Sequence, residues 1–181
     1  MQMLVSASEL PTIFTMADST PQSTQTYTGT CLCGSISLVL TLPYDLHAKP
    51  QGHICHCINC RKFSGSATGL ACLMLPTSQV QLHDPEGKLK TFIDTKSRSG
   101  RTVGRSFCGE CGSPVGGPTR TEPSLSVIAL GLFDEVPKPV FECFSAQKVD
   151  WAKSSVEASK QYEYVDEIEQ YMVGVFAGTG Y

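Results

Sequence analysis

The stretch GTCLCGSISLVLTLP, Gly29 to Pro43, sets two cysteines one residue apart and then alternates along an extended run. Ile36, Leu38, Leu40 and Leu42 fall on one side of the chain, and Ser35, Ser37, Val39 and Thr41 on the other. That period of two predicts a half-buried strand, which the proline ends. Directly before it, Cys31 and Cys33 form a C-x-C turn, a spacing that presents two thiolates to one metal ion.

Short strands with turns between them recur along the chain. TGLACLMLP predicts a strand from Thr68 to Leu75. QVQLHD (Gln79 to Asp84) and LKTFIDT (Leu89 to Thr95) flank the turn residues DPEGK and predict a hairpin. RTVGRSFC (Arg101 to Cys108) leads into GECGSPVGG, which is too rich in glycine for a helix. SLSVIALGLF (Ser124 to Phe133) and PVFECFSA (Pro139 to Ala146) add two more strands. Only VDEIEQYMVGVF, near the end, has a briefly helical pattern. Residues 1–26 are rich in Ser, Thr, Gln and Pro and read as a flexible N-terminal tail. The expected fold class is therefore mainly β, with cysteine knuckles at the turns and a short C-terminal helix.

The 181 residues suit one domain with a real core, and 41% hydrophobic against 17% charged residues fits a globular chain. A formal charge of -3 speaks against nucleic acid as the main partner. No apolar run approaches the ~20 residues of a membrane helix. The N-terminus lacks the basic region of a secretory signal and the arginines of a mitochondrial one. Nine cysteines, an odd number, fit a reducing compartment better than a disulfide framework, so a cytoplasmic location is expected.

The cysteines fall into three clusters. Cys31 and Cys33 lie in GTCLCGS, Cys108 and Cys111 in FCGECGS, and Cys55, Cys57 and Cys60 in ICHCINC. The first two pairs sum to one four-thiolate zinc site that ties the start of the β core to its later half. The middle trio lacks a fourth cysteine nearby in sequence. His53 and His56 flank it, and the strand around Cys143 could bring Glu142 or Cys143 towards a metal. Three protein ligands with an exchangeable fourth position are common in catalytic zinc sites, and a closed set marks a strut. The spacing alone leaves both open. Arg61 and Lys62 directly after the trio could lower thiol pKa or bind a carboxylate, or form a solvated pair on a turn. Ser64 to Ser66 offer amide and hydroxyl donors useful near an anionic group. Cys72, in an apolar strand, reads as a packed core thiol.

Together GTCLCGSISLVL, CHCINCRKFSGS and FCGECGSPVGG resemble the glutathione-dependent formaldehyde-activating enzyme family, also called the centromere protein V family. The resemblance runs from about Tyr27 to Trp151. It implies a β-tent of two antiparallel sheets over zinc. It divides the chain into the tail, a zinc-binding β-tent catalytic domain over residues 27–152, and a C-terminal extension over 153–181 that packs on the core.

The resemblance also implies two Zn2+ ions, a structural one on Cys31, Cys33, Cys108 and Cys111 and a catalytic one on Cys55, Cys57 and Cys60. The implied activity joins formaldehyde to the thiol of glutathione, a carbon–sulfur lyase reaction, with glutathione as co-substrate. Members often carry a histidine in P-x-x-H-I-F before a tryptophan. Here PVFECFSAQKVDW places Glu142 at that position, as a general acid/base or an extra zinc ligand.

The expected catalytic residues are Glu142 and Arg61, and Arg61, Lys62 and Ser64 are the expected substrate-binding set. The partner is a small carbonyl or thiol compound, including a larger specialised metabolite, with a homodimer admitted. The alternative is a non-catalytic zinc-binding protein-interaction module. Tyr162, Tyr164 and Tyr171 either line a pocket or pack.

Overall fold

Strands account for most of the regular structure in the computed structural model, which describes residues 24–97, 100–120, 123–157 and 160–163. β1 (Gln25–Thr30) and β2 (Ser37–Leu42) form an antiparallel hairpin around the Cys31–Cys33 turn. β3 (Gly52–Cys55) runs into a helix, α1 (Ile58–Ser64), and the chain returns as β4 (Leu70–Pro76). Then come β5 (Val80–His83), β6 (Leu89–Asp94) and β7 (Val103–Cys108). β8 (Gly116–Pro118), β9 (Leu125–Ala129), β10 (Pro139–Cys143) and β11 (Gln161–Tyr162) complete the order.

The mainly β expectation holds, and the strands divide among three sheets. One is β1-β2-β5. The largest runs β11-β10-β3-β4-β9-β8, and in it β10 lies parallel to both neighbours. β6 and β7 form a separate antiparallel pair. The hairpin expected around DPEGK does not form as a ladder. The Asp84 carboxylate accepts the Lys88 and Leu89 N–H groups at 2.7 and 2.9 Å, which turns the chain. β5 then pairs with β2, and β6 with β7. β1 starts at Gln25, two residues before the expected domain boundary. The rest of the tail to residue 23, the helix expected over 165–176, Tyr164 and Tyr171 lie outside the described residues. Among the described residues no helix is long and apolar enough to cross a membrane.

The alternation read in Gly29 to Pro43 is what builds the core. Ile36, Leu38, Leu40 and Leu42 are fully buried and pack with Leu73, Leu75, Ile128 and Leu130 of the six-stranded sheet and the turn after β9. Each such side chain contributes about 1.5–3 kcal/mol by leaving water. The opposite face of the six-stranded sheet carries His53, Cys55, Cys72 and Cys143. The β6–β7 pair and α1 approach that face, and Val103, Arg105 and Phe63 share a cavity wall with His53, Cys55 and Cys72.

Sequence patterning misses α1 because seven residues are too few to show a 3.6-residue period. So short a helix is unstable alone and needs tertiary support. It receives that support at both ends. The Cys57 sulfur accepts the Cys60 N–H at 3.3 Å, the Gln147 side-chain oxygen accepts the Ile58 N–H at 2.9 Å, and Gly65 closes the helix in a left-handed conformation.

Gly69 fixes how close β4 comes to β3. Its φ is +106°, and a Cβ there would lie 2.6 Å from the Cys55 carbonyl oxygen. Gly69→Ala is expected to destabilise the fold by about 3 kcal/mol, through strain and forced separation of the strands. Urea unfolding with an unchanged m-value would read this as a lower midpoint.

Candidate metal centres and a cationic pocket

Two groups of cysteines could hold a metal ion. The first is Cys31, Cys33, Cys108 and Cys111, whose four sulfurs lie within 4.8 Å of one another. Cys31 and Cys33 sit in the β1–β2 turn, and Cys108 and Cys111 at the end of β7 and in the turn beyond. The Cys31–Cys33 and Cys33–Cys108 sulfur separations are 3.5 and 3.7 Å. These match the edge of about 3.8 Å of a tetrahedron built on Zn–S bonds of about 2.3 Å. The Ile36 N–H points at the Cys31 sulfur at 3.3 Å, and the Ser35 hydroxyl beside Cys33 holds that thiol below its ordinary pKa. The Ser113 hydroxyl and N–H lower Cys111 to about 5. These donors favour the thiolate, the form that binds metal.

The second group is Cys55, Cys57 and Cys60, whose three sulfurs also lie within 4.8 Å of one another. Cys55 ends β3, Cys57 caps α1, and Cys60 stands in the helix's first turn. The Cys55 and Cys60 thiols and the Cys60 N–H, with the Arg105 charge, hold Cys57 down to about 3. Cys60 is pushed up, chiefly by its contacts with Cys55 and Cys57. Cys55 is raised by its thiol contact with Cys143 and then by Cys57. One thiol can ionise at the expense of its neighbours, the charge pattern that a bound cation relieves. Three soft donors at this separation fit zinc.

Several expected residues are not brought to this trio. Glu142 faces the other side of the sheet. In the parallel β3–β10 register Cys143 stands beside Cys55 and Glu142 beside Ile54, and successive side chains of a strand alternate faces. Glu142 is 1% exposed. Its Oε2 accepts from His56 Nε2 at 3.1 Å, Lys148 Nζ at 3.3 Å and the Ser154 hydroxyl at 3.2 Å, and Oε1 accepts the Ser155 N–H at 3.0 Å. Burial raises its pKa, but the Ser155 N–H, His56 and Lys148 outweigh burial and hold the carboxylate below its ordinary range.

His56 turns away from the trio, and His53, though on the same face as Cys55, is not among the donors within 4.8 Å of all three sulfurs. His56, 3% exposed, points to Glu142, and His53 lies flat on Phe141 with ring centroids 4.9 Å apart. Burial drops His53 to about 4. Lys62 is exposed, and Arg61 is half-buried with no hydrogen-bond partner for its Nε among the described residues. Neither is among the residues lining the two cavities described at the trio's thiols. Ser64 lines a larger cavity of about 900 Å3 with His56 and Glu142 on the other face. Cys72 is a buried thiol, as expected.

A different set of cations surrounds the trio. The thiols open on a cavity of about 340 Å3 whose wall includes Lys96, Arg101, Arg105, Asn59, Phe144 and Gln147. Arg105, 8% exposed, donates to the Cys60 sulfur at 3.5 Å and grips Asp94 through Nε at 2.9 Å and Nη2 at 2.8 Å. Asp94 also accepts from the Asn59 side chain at 2.7 Å, so α1, β6 and β7 are tied together beside the metal ligands. Sequence reasoning overlooked these cations. The available signal was TKSRSGR, Thr95 to Arg101, with three basic residues in seven. Nothing local marks Arg105, because its role depends on β7 lying over the trio.

The model of the family described as glutathione-dependent formaldehyde-activating enzyme matches residues 26–147, a span that includes all seven cysteines of the two groups. The chain belongs to that family. The family is one of enzymes that activate formaldehyde with glutathione, and both of this member's cysteine groups could hold a metal ion. A crystal structure of a Rhodobacter sphaeroides protein is similar to this member at 18% sequence identity and a TM-score of 0.46, over 60% of this chain and 89% of the other. No curated protein matches the chain.

Proposed function

We propose that this protein is a zinc-dependent enzyme of the carbon–sulfur lyase type. It joins a thiol to a small carbonyl compound, with glutathione and formaldehyde as the first pair to test. The observation that carries this reading is a trio of thiols opening on a cavity edged by three cations. Cys55, Cys57 and Cys60 would hold the catalytic zinc, and the four-thiol set the structural one. A zinc ion on the trio supplies Lewis acidity that can acidify a thiol or polarise a carbonyl.

The protein's own groups do the rest. Arg105, locked by its fork onto Asp94, fixes Cys60 and places positive charge at the inner wall. Lys96 and Arg101 at the mouth attract the carboxylates of glutathione, against the net negative charge of the whole chain. Phe144 and the stem of Gln147 close one side. In the reaction the thiol sulfur bonds to the carbonyl carbon, and the thiol proton ends on the carbonyl oxygen, so no atom is left over. Glu142 does not carry that proton, because its lone pairs are taken by four groups on the other face of the sheet. It serves as a positioning residue, holding the His56 ring and so the peptide between Cys55 and Cys57.

The test is formation of S-hydroxymethylglutathione by the zinc-loaded full chain, followed by NMR against the uncatalysed rate. Acceleration is expected, and Arg105→Met is expected to lower kcat/KM by about 10–100-fold with two metals retained. No acceleration would sink the formaldehyde assignment and direct the search to larger carbonyl compounds.

A further inference from the structure

We propose that Cys143 is a displaceable fourth thiolate of the Cys55–Cys57–Cys60 centre, seated on the metal at rest and released when a substrate thiol binds. The inference rests on the reading of that centre as the thiol–carbonyl site. Register supplies the first argument. β10 runs parallel to β3 and sets Cys143 directly beside Cys55, on the same face of the sheet. The two residues are 4% and 7% exposed, share one apolar cluster with Phe141 and Phe144, and meet thiol to thiol.

Elimination supplies the second. The other donors near the trio fit less well: His56 is bound to Glu142, Glu142 is on the far face, and His53, stacked on Phe141, shares a cavity wall with Cys55 and Cys60 but has no ring nitrogen within 4.8 Å of all three sulfurs. Among the described residues, Cys143 is a further metal-binding side chain already touching a ligand sulfur. The two centres also differ from each other. All four sulfurs of the Cys31 group lie within 4.8 Å of one another, whereas at the second centre three do and Cys143 stands just outside, against Cys55. Cysteine has one side-chain rotor, so its sulfur travels a single circle about Cβ between an outer seat and the fourth vertex. A ligand held on the edge of its set is the one an incoming thiol displaces. The exchange balances: the new sulfur takes the vertex, and its proton passes to the departing Cys143 sulfur. The charge of the centre is unchanged and nothing is oxidised.

The test loads the full chain with cobalt(II) and reads the thiolate-to-cobalt charge-transfer absorption, which scales with the number of thiolates bound. Wild type is expected to show two cobalt ions with four thiolates each. Cys143→Ala is expected to keep both ions, lose one thiolate's share of the band and bind glutathione about tenfold more tightly by calorimetry, because no resident sulfur competes. Cys143→Val, which keeps the buried volume, gives the same reading if the alanine variant is too unstable. An identical band in wild type and both variants would overturn the proposal and leave the catalytic reading standing. A full set of thiolates that glutathione cannot enter would overturn displaceability, and the catalytic reading with it, in favour of a closed structural module. A single cobalt ion per chain would remove the second centre altogether.

Discussion

Cys57→Ser is expected to lower metal content from two ions per chain to one and to reduce turnover of formaldehyde with glutathione to the uncatalysed rate. Cys57 is the most acidic thiol of its trio, held down to about 3 by the Cys55 and Cys60 thiols, the Cys60 N–H and the charge of Arg105. It is therefore the sulfur most ready to bind a cation at neutral pH. Serine replaces that thiolate with a neutral hydroxyl, a far weaker zinc donor. The substitution separates metal binding from folding. Cys57 also caps α1 by accepting the Cys60 N–H, and serine is among the better residues for that position. The variant should thus keep the helix and the Cys31 group's metal, and elemental analysis beside NMR turnover reads both effects. Two metals retained with full activity would show that the trio is not the reactive centre.

Glu142→Ala is expected to destabilise the protein by about 3–5 kcal/mol, the cost of breaking a buried ionic network by removing one partner. The substitution takes the carboxylate from the His56 ring and the Ser155 N–H, and removes the anion that faces the Lys148 ammonium and the Ser154 hydroxyl. The network joins β3 to the segment after β10, and Lys148 and Ser154 also meet each other and Gln161 of β11. Because His56 lies between two ligands, the second metal is also expected to be lost to a chelator about 10–100 times more readily.

The pH dependence follows from the sign of the Glu142 shift. Its folded pKa lies below the ordinary value near 4.5. Its stabilisation is therefore complete above that value and is lost as pH falls through the lower folded pKa. Urea midpoints measured down through the acid range should fall less steeply for Glu142→Gln than for wild type. Parallel pH profiles for the two proteins would show that the carboxylate is not the clamp inferred here.

Both variants turn on residues that were visible in the sequence, yet their roles were not equally legible there. The cysteine groups could be read because C-x-C and C-x-x-C are local spacings: chain geometry brings two sulfurs within reach of one ion whatever the fold. The buried strand from Ser37 to Leu42 could be read for a similar reason, since a period of two decides which side chains share a face.

What alternation cannot supply is which face looks at what. Cys143 and Glu142 are neighbours in sequence, and shifting the register of β10 by one residue would exchange them. Only the parallel pairing of β10 with β3 placed the thiol beside Cys55 and the carboxylate beside His56. The same holds for Arg105 against Arg61. Arg61 adjoins Cys60 in the chain, whereas Arg105 is 45 residues away and reaches the Cys60 sulfur because β7 packs over the sheet. The sequence alone determined that this protein gathers thiols for metal on a mainly β frame. The tertiary structure decided which cations, which carboxylate and which extra thiol stand around them, because strand register and sheet packing are set by long-range burial rather than by neighbours in the chain.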